Sequence, residues 1–307
     1  MAALVLTVTL VLAALTALRW VDSDSSLLVV ALQSLRWVYA VLAVLVLLAA
    51  VLLRHRWAVL LAGSLVAVHA LVAVPAFVPA AQVAPGTDDL VVLSANLEFG
   101  RADPGPVVEA VRRLDVDVLV LLEATAAAER GLSGAGLDEL LPESVGQTRD
   151  DPGGTLIRSR HRLIAQRVPP STFGQPSALV QAPGGEVLLR AAHPLAPLDA
   201  PTWHAELGDL ASWAVGTRQR QDLPVVLAGD LNASEDHPAF RRLTRVMTDA
   251  HRERGAGWVR SWPMGAPFPP FCQIDHVLVR GLGVVEVGTV VLPGTDHAAV
   301  WSRLSSG

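Results

Sequence analysis

Three runs of almost unbroken apolar side chains occupy residues 2–18, 37–53 and 57–77. They constrain the folding of this chain more than any other feature. Each approaches the roughly 17–25 residues with which a helix crosses a bilayer. None carries a polar face, so three membrane spans are expected in preference to three buried core helices. The stretch 27–36 is apolar apart from Gln33, Ser34 and Arg36. It either extends the second span, tilted, or lies along the interface. A cleaved signal peptide is the rival reading of residues 1–18. The missing basic leading segment and the two apolar runs that follow argue against it. A transporter is a weaker reading, because the spans contain no acidic residue and no repeated half.

Arginine gives the orientation. Arg54, His55 and Arg56 form the turn between the second and third spans, and basic turns stay in the cytoplasm. The N-terminus is then inside, and the chain after residue 78 emerges outside. Arg19 falls on the disfavoured side, with Asp22 and Asp24 close to it in sequence. The expected organisation is a membrane anchor over residues 1–78, a Pro/Gly linker over 79–89 and a folded domain over 90–307.

Arginine supplies all 24 basic residues, since the chain has no lysine. Residues 1–84 hold four of these and two of the 29 acids, leaving 20 arginines against 27 acids in the remainder. An acidic domain without basic clusters is a poor non-specific nucleic-acid binder. Cys272 is the single cysteine, which excludes an intrachain disulfide and a zinc-cysteine cluster.

From Leu90 the pattern becomes strands alternating with helices. Residues 90–95, 116–122, 155–157, 178–182, 186–192, 225–228, 274–279, 284–291 and 298–303 read as strands. Residues 104–114, 202–216 and 236–248 read as helices, the first capped by Asp103 with proline at its first position. Strands outnumber helices and several are adjacent. The fold class expected is α/β, with two mixed sheets packed together and helices outside.

Polar residues recur where the apolar strands end. Asn96, Glu123 and His193 each follow such a run. Asp230 and Asn232 close Val-Val-Leu-Ala-Gly-Asp-Leu-Asn, and the period-two geometry of extended chain puts both on one side. Asp275 and His276 open one strand; Asp296 and His297 precede another. Strand ends on one edge of a sheet converge on a single crevice. Carboxylates, amides and imidazoles gathered there suit hydrolysis assisted by a hard cation.

Taken together, these residues resemble the endonuclease/exonuclease/phosphatase family of metal-dependent phosphodiesterases. The resemblance covers about residues 90–304. Its ordered signature reads here as Asn96, Glu123, His193, Gly229-Asp230-Leu231-Asn232, Asp275 and Asp296-His297. Gly153–Arg160 is similar to the family's glycine-led strand ending in Ser-Arg. The resemblance implies a four-layer α/β/β/α sandwich behind the membrane segment, and a Mg2+-dependent hydrolase, with Mn2+ as the alternative ion. It implies that Glu123 is the principal metal ligand, with Asn96 and Asp296 completing that shell. Asp230 would activate water, and Asn232 would position the water or the phosphate. His297 would stabilise the phosphoryl oxygens with support from Asp275, and His193 would hold another phosphate oxygen. Glu98, where some members use a second carboxylate, is left unassigned.

Each residue has a structural rival. His193 and His297 read equally as strand-end histidines, Glu123 as the start of a helix at 124–130, and Asp275 as a turn residue. His276, facing away from Asp275, reads as structural. Asp151 and Asp236 read as loop acids, and His204, His237 and His251 show no metal-ligand spacing. The chain also departs from the nuclease members. Its one tyrosine, Tyr39, lies in the membrane segment, Gln273 replaces the arginine often found two positions before the strand aspartate, and residues 131–154 form no basic loop. These departures disfavour duplex DNA cleavage. The expected partners are a phosphoester substrate (phospholipid, lipid-linked phosphate or nucleic acid) and the lipid bilayer of the cell membrane, with the domain extracytoplasmic. The competing class is a non-catalytic, membrane-anchored binding protein that reuses the same fold.

Overall fold

The computed structural model describes residues 2–22, 26–80, 82–220 and 223–306. Asp24, expected beside Arg19, lies outside them, as do Ala81 of the linker and Gly307.

The chain opens with α1 (Ala2–Ala17), α2 (Leu27–Gln33), α3 (Arg36–Leu52) and α4 (Arg56–Ala73). Two helical stretches, Ala3–Trp20 and Arg56–Phe77, are long and apolar enough to cross a membrane. A third crosses only if α2 and α3, bent by 60°, count as one span. The bend answers the open question about residues 27–36: they turn away from α3 instead of extending it straight. Ser26 starts α2 by accepting a hydrogen bond from Val29 N, and His55 caps α4 through Ala58 N. Leu12, Tyr39, Ala43 and Leu65 pack between α1, α3 and α4. Leu52, Leu60 and Leu71 stay exposed on the outside of the bundle. An apolar exterior around an apolar centre suits lipid, not water.

The remainder runs β1 (Leu90–Asn96), α5 (Pro104–Leu114), β2 (Val118–Leu122), α6 (Ala126–Gly134), α7 (Leu137–Leu140), β3 (Glu143–Gln147), β4 (Thr155–Ser159), β5 (Leu163–Gln166), β6 (Ser177–Ala182) and β7 (Gly185–Ala192). It continues with α8 (Ala200–Arg220), β8 (Val225–Asp230), α9 (Pro238–Leu243), β9 (Thr248–Asp249), α10 (Ala250–Glu253), β10 (Asp275–Arg280), β11 (Gly283–Val291) and β12 (Ala298–Ser305). Two six-stranded mixed sheets result, ordered β11-β12-β1-β2-β4-β3 and β5-β6-β7-β8-β10-β9. Val92, Val120, Leu189, Val226 and Val277 lie in the seam where the sheets face each other. Full burial of each such side chain contributes roughly 1.5–3 kcal/mol. A second apolar layer packs α5, α6 and α7 on the first sheet, and a third packs α8 and α9 on the other. The architecture is the expected α/β/β/α sandwich.

Three short strands, β3, β5 and β9, have no apolar run in the sequence to mark them. The expected helix over 236–248 stops at Leu243, and Thr248 instead enters β9 beside β10. The linker runs along the domain, and Ala80 N donates to Glu253 O at 2.8 Å.

The first helices dock on this domain. Val30 of α2 is buried in the layer formed with Trp203 and Phe240. Arg36 Nε donates to Asp236 at 2.5 Å and its Nη2 to Glu235 at 2.5 Å; Arg19 also pairs with Asp236. Asp236 is therefore a buried ion-pair partner of the N-terminal helices, where the sequence reads it as a loop acid. Asp22 pairs with Arg242 and His204 instead of compensating Arg19. His237 is also buried, its Nε2 3.0 Å from the carbonyl of Val30.

Candidate active site

Strand register explains why residues distant in sequence meet. β1 and β2 run parallel with Asn96 opposite Leu122, so Glu123 leaves the sheet beside Asn96. β7 and β8 run parallel with Ala192 opposite Gly229, which sets His193 beside Asp230. β8 and β10 are antiparallel with Asp230 opposite Asp275. Gly229 is required there, because a Cβ at that position would stand 1.9 Å from Ala192 O. Glu123 and Asn232 adopt left-handed backbone, with φ of 53° and 49°. Non-glycine residues in that region mark sites where geometry outweighs local strain.

All eight candidate residues form one linked cluster. Asn96 Nδ2 donates to Glu123 Oε1 at 3.2 Å and to Asp230 Oδ2 at 3.1 Å. Phe99 N donates to the other Glu123 oxygen at 2.9 Å. Burial raises the Glu123 pKa above its ordinary value, against the bonds from Phe99 and Asn96. Glu123 is not a helix start: α6 begins at Ala126, capped by Thr125. Asp230 Oδ1 accepts from Asn232 N at 2.7 Å, and burial raises its carboxyl pKa despite the opposing charge of His297.

The pair His297 and Asp275 is joined at 2.9 Å through Nδ1. Burial disfavours charge on His297, but the carboxylates of Asp275 and Asp230 outweigh it and push its pKa up to about 10. Its Nε2 lies 3.7 Å from both Asp230 Oδ2 and Asp296 Oδ1. These separations exceed hydrogen-bond length and leave Nε2 available to a third group. His193 Nε2 stands 3.9 Å from Asp230 and 4.0 Å from Glu123. Burial lowers its pKa to about 4, so it is neutral at pH 7. Asn232 Nδ2 donates to Pro194 O at 3.1 Å. A carbonyl can only accept, so this bond uses one N–H and fixes the orientation of the amide, whose oxygen is free to accept from a water.

Several supporting residues carried no signal in the sequence. Ser261 Oγ accepts from the backbone N–H of Ile274 and of Asp275, at 3.0 and 3.1 Å. Trp262 Nε1 donates to Asp296 Oδ2 at 3.0 Å. Thr295 Oγ1 donates to Asn96 O and accepts from His297 N. The Phe173 ring lies 4.8 Å from that of His193. Only Thr295 had a visible clue, its place beside Asp296-His297. The other candidate residues lie outside this cluster. His276 faces away and pairs with Asp249 at 2.6 Å. His251 bonds Gly288 O. Glu98 pairs with Arg101, and Gln273 donates to Asp275 O.

The donor set fits a hard divalent cation. Glu123 and Asp230 are acids driven toward neutrality by burial unless a positive charge compensates them. Asp296 keeps one oxygen unbonded to Trp262, and Asp275 Oδ1 is buried without a partner among the described residues. Ligand atoms of Asp230, Asp275 and His297 also lie within 4.8 Å of one another. The His297–Asp275 bond already occupies that second set, and oxygen donors suit Mg2+ better than imidazole does.

The model of the endonuclease/exonuclease/phosphatase family matches residues 93–297. The chain belongs to that family. No curated relative matches the sequence. Solved structures share the endonuclease/exonuclease/phosphatase fold at low identity. TDP2 of D. rerio, complexed with single-strand DNA product, is 15% identical with a TM-score of 0.57; the match covers 71% of this chain and 99% of that one. TDP2 of C. elegans is 16% identical with a TM-score of 0.57, over 71% and 75% of the two chains. A mannosyl-6-phosphatase of Bacteroides thetaiotaomicron is 15% identical with a TM-score of 0.52, over 70% and 99%.

Proposed function

We propose that this protein is a membrane-anchored, Mg2+- or Mn2+-dependent hydrolase of phosphoesters whose catalytic domain faces away from the cytoplasm. The observation that carries the reading is the convergence of Asn96, Glu123, His193, Asp230, Asn232, Asp275, Asp296 and His297 at one end of the two sheets. Glu123, Asn96 and Asp296 would hold the cation, which when bound neutralises phosphate charge. Asp230 accepts a proton from water while the water oxygen bonds to phosphorus. The bond from phosphorus to the leaving oxygen then breaks. Asn232 aligns the water through its amide oxygen. His297, kept protonated by Asp275, donates from Nε2 to a phosphoryl oxygen as charge builds. Neutral His193 donates to another.

The structural neighbours include one bound to single-strand DNA and one phosphatase, so both substrate types belong in a test beside lipids. Of the candidate substrates, the acidic domain favours phospholipid or lipid-linked phosphate over nucleic acid. The test uses the full chain in detergent micelles, because Val30 and Arg36 of the anchor complete the domain surface. Hydrolysis of a generic diester, a monoester, single-stranded DNA and phospholipid is measured with and without Mg2+. The expected outcome is turnover that a chelator abolishes and Mg2+ or Mn2+ restores. His297→Gln and Asp230→Asn should each lower kcat by roughly 10²–10⁴-fold. Activity persisting in both variants would overturn the assignment.

A further inference from the structure

On the far side of β10 from the crevice, a cavity of about 320 Å³ lies where the three membrane helices meet the domain. Its size falls within the roughly 300–1,000 Å³ of small-molecule pockets. Arg19, Trp37 and Ala76 line it from the anchor, and Arg241, Arg245 and Arg252 from the domain.

The charges around it do not balance. Arg19, Arg36 and Arg252 share two acids, Glu235 and Asp236. Among the described residues Arg241 donates only to carbonyl oxygens, those of Glu235, Asp236 and Arg19. Arg245 is exposed and has no ion-pair partner among the described residues. Asp249, the remaining acid in the wall, is taken by His276. Three positive charges are therefore left over, one from the three-on-two cluster and one each from Arg241 and Arg245. Burial and the nearby Arg19 pull the Arg241 pKa down to about 10, against the carboxylate charges of Asp236, Glu235 and Asp22, none of which bonds it.

The position of the cavity adds an independent constraint. Arg19 follows α1, Trp37 starts α3 and Ala76 follows α4, so the wall is built from the same end of all three helices. Trp37 stacks on Trp258 with ring centroids 4.8 Å apart, and Phe77 meets Trp37 edge-on at 6.1 Å. Aromatic residues at helix ends mark the headgroup level of a bilayer. Arginine binds phosphate through paired N–H donors.

We propose that this cavity binds a phosphate-bearing anion, positioned to be the headgroup of an anionic phospholipid of the outer leaflet. The site is separate from the catalytic crevice. Its lipid source rests on the reading of residues 1–78 as membrane-inserted.

The test places the full chain in nanodiscs of phosphatidylcholine and titrates in phosphatidylglycerol, following bound lipid by native mass spectrometry. Inorganic phosphate is added in a parallel arm. Carbonate extraction and phosphoester hydrolysis are measured separately, so loss of insertion or of catalysis is distinguished from loss of this site. Wild type should retain phosphatidylglycerol preferentially. Arg245→Gln, at an exposed position, should weaken retention by about tenfold, the equivalent of one charge-assisted bond. Arg241→Gln should do the same, and Arg113→Gln, on the exposed face of α5, should change nothing. Competition by inorganic phosphate would support the same site filled by a soluble anion. Equal retention of both lipids, with the arginine variants unchanged and no effect of phosphate, would overturn the proposal.

Discussion

Among the described residues, His276 and His297 each carry an aspartate on Nδ1, and of the two His297 faces the crevice. The other, His276, bonds Asp249 at 2.6 Å and Ala233 O through Nε2 at 2.9 Å. Both residues of this second pair are buried. Burial opposes charge on His276, but Asp249 outweighs it and raises the imidazole above 6.5. Against burial, the same contact holds Asp249 below 3.8. The raised histidine adds stability that is complete below its unfolded pKa and is lost as pH rises through the folded one. The lowered aspartate adds stability that is complete above its unfolded pKa and is lost as pH falls through the folded one. The pair therefore contributes most between about pH 4 and 6.5. Replacing His276 by Asn leaves a buried acid uncompensated and should cost roughly 3–5 kcal/mol in that window. Urea unfolding of both proteins from pH 5 to pH 10 would show the difference shrinking on the alkaline side. A pH-independent difference would mean that His276 acts by packing alone.

At the level of elements, the decisive contact is α2 and α3 against the loop that follows β8. Asp230 ends β8, and the loop carries Asn232 at one end and Glu235, Asp236 and His237 at the other. Arg36 holds its far end through two acids. Arg36→Gln leaves Asp236 with Arg19 alone and should destabilise the docked helices by roughly 3–5 kcal/mol. Limited proteolysis in detergent should then cut within residues 231–237 sooner than in wild type, and Arg36→Lys should restore part of the protection. Unchanged cleavage would show that α2 packing, not the ion pair, holds the loop. This contact also marks where the sequence stopped being legible. The strand ends carrying Asn96, Glu123, His193, Asp230, Asp275 and His297 were readable because burial on both faces leaves long apolar runs that stop abruptly. β3 and β5 lack such runs, since both are partly exposed. β9 is two residues long and is defined by its pairing with β10. Ser261 and Trp262 support Asp275 and Asp296 only through tertiary proximity. Asp236 read as a loop acid because its partners lie some 200 residues earlier, in helices assigned to the membrane.

For the whole molecule, orientation turns on two sets of arginines at opposite ends of the helices. Arg19 and Arg36 are paired with acids of the folded domain. Arg54 and Arg56 are exposed, with no acidic partner among the described residues. An uncompensated pair in a tight turn is the stronger cytoplasmic signal, and under the proposed membrane insertion it would send the chain after α4 outward together with its crevice. Cys272 offers a clean background for testing this, because it is 4% exposed and burial raises its thiol pKa. A membrane-impermeant maleimide should therefore leave the native protein unlabelled. Arg113→Cys, on the exposed face of α5, should label in intact cells. Arg54→Cys should label only after permeabilisation. The reverse pattern would put the domain in the cytoplasm and the arginine-lined cavity at the inner leaflet. It would leave the chemistry of the crevice untouched, since no residue of that cluster depends on which side of the bilayer it faces.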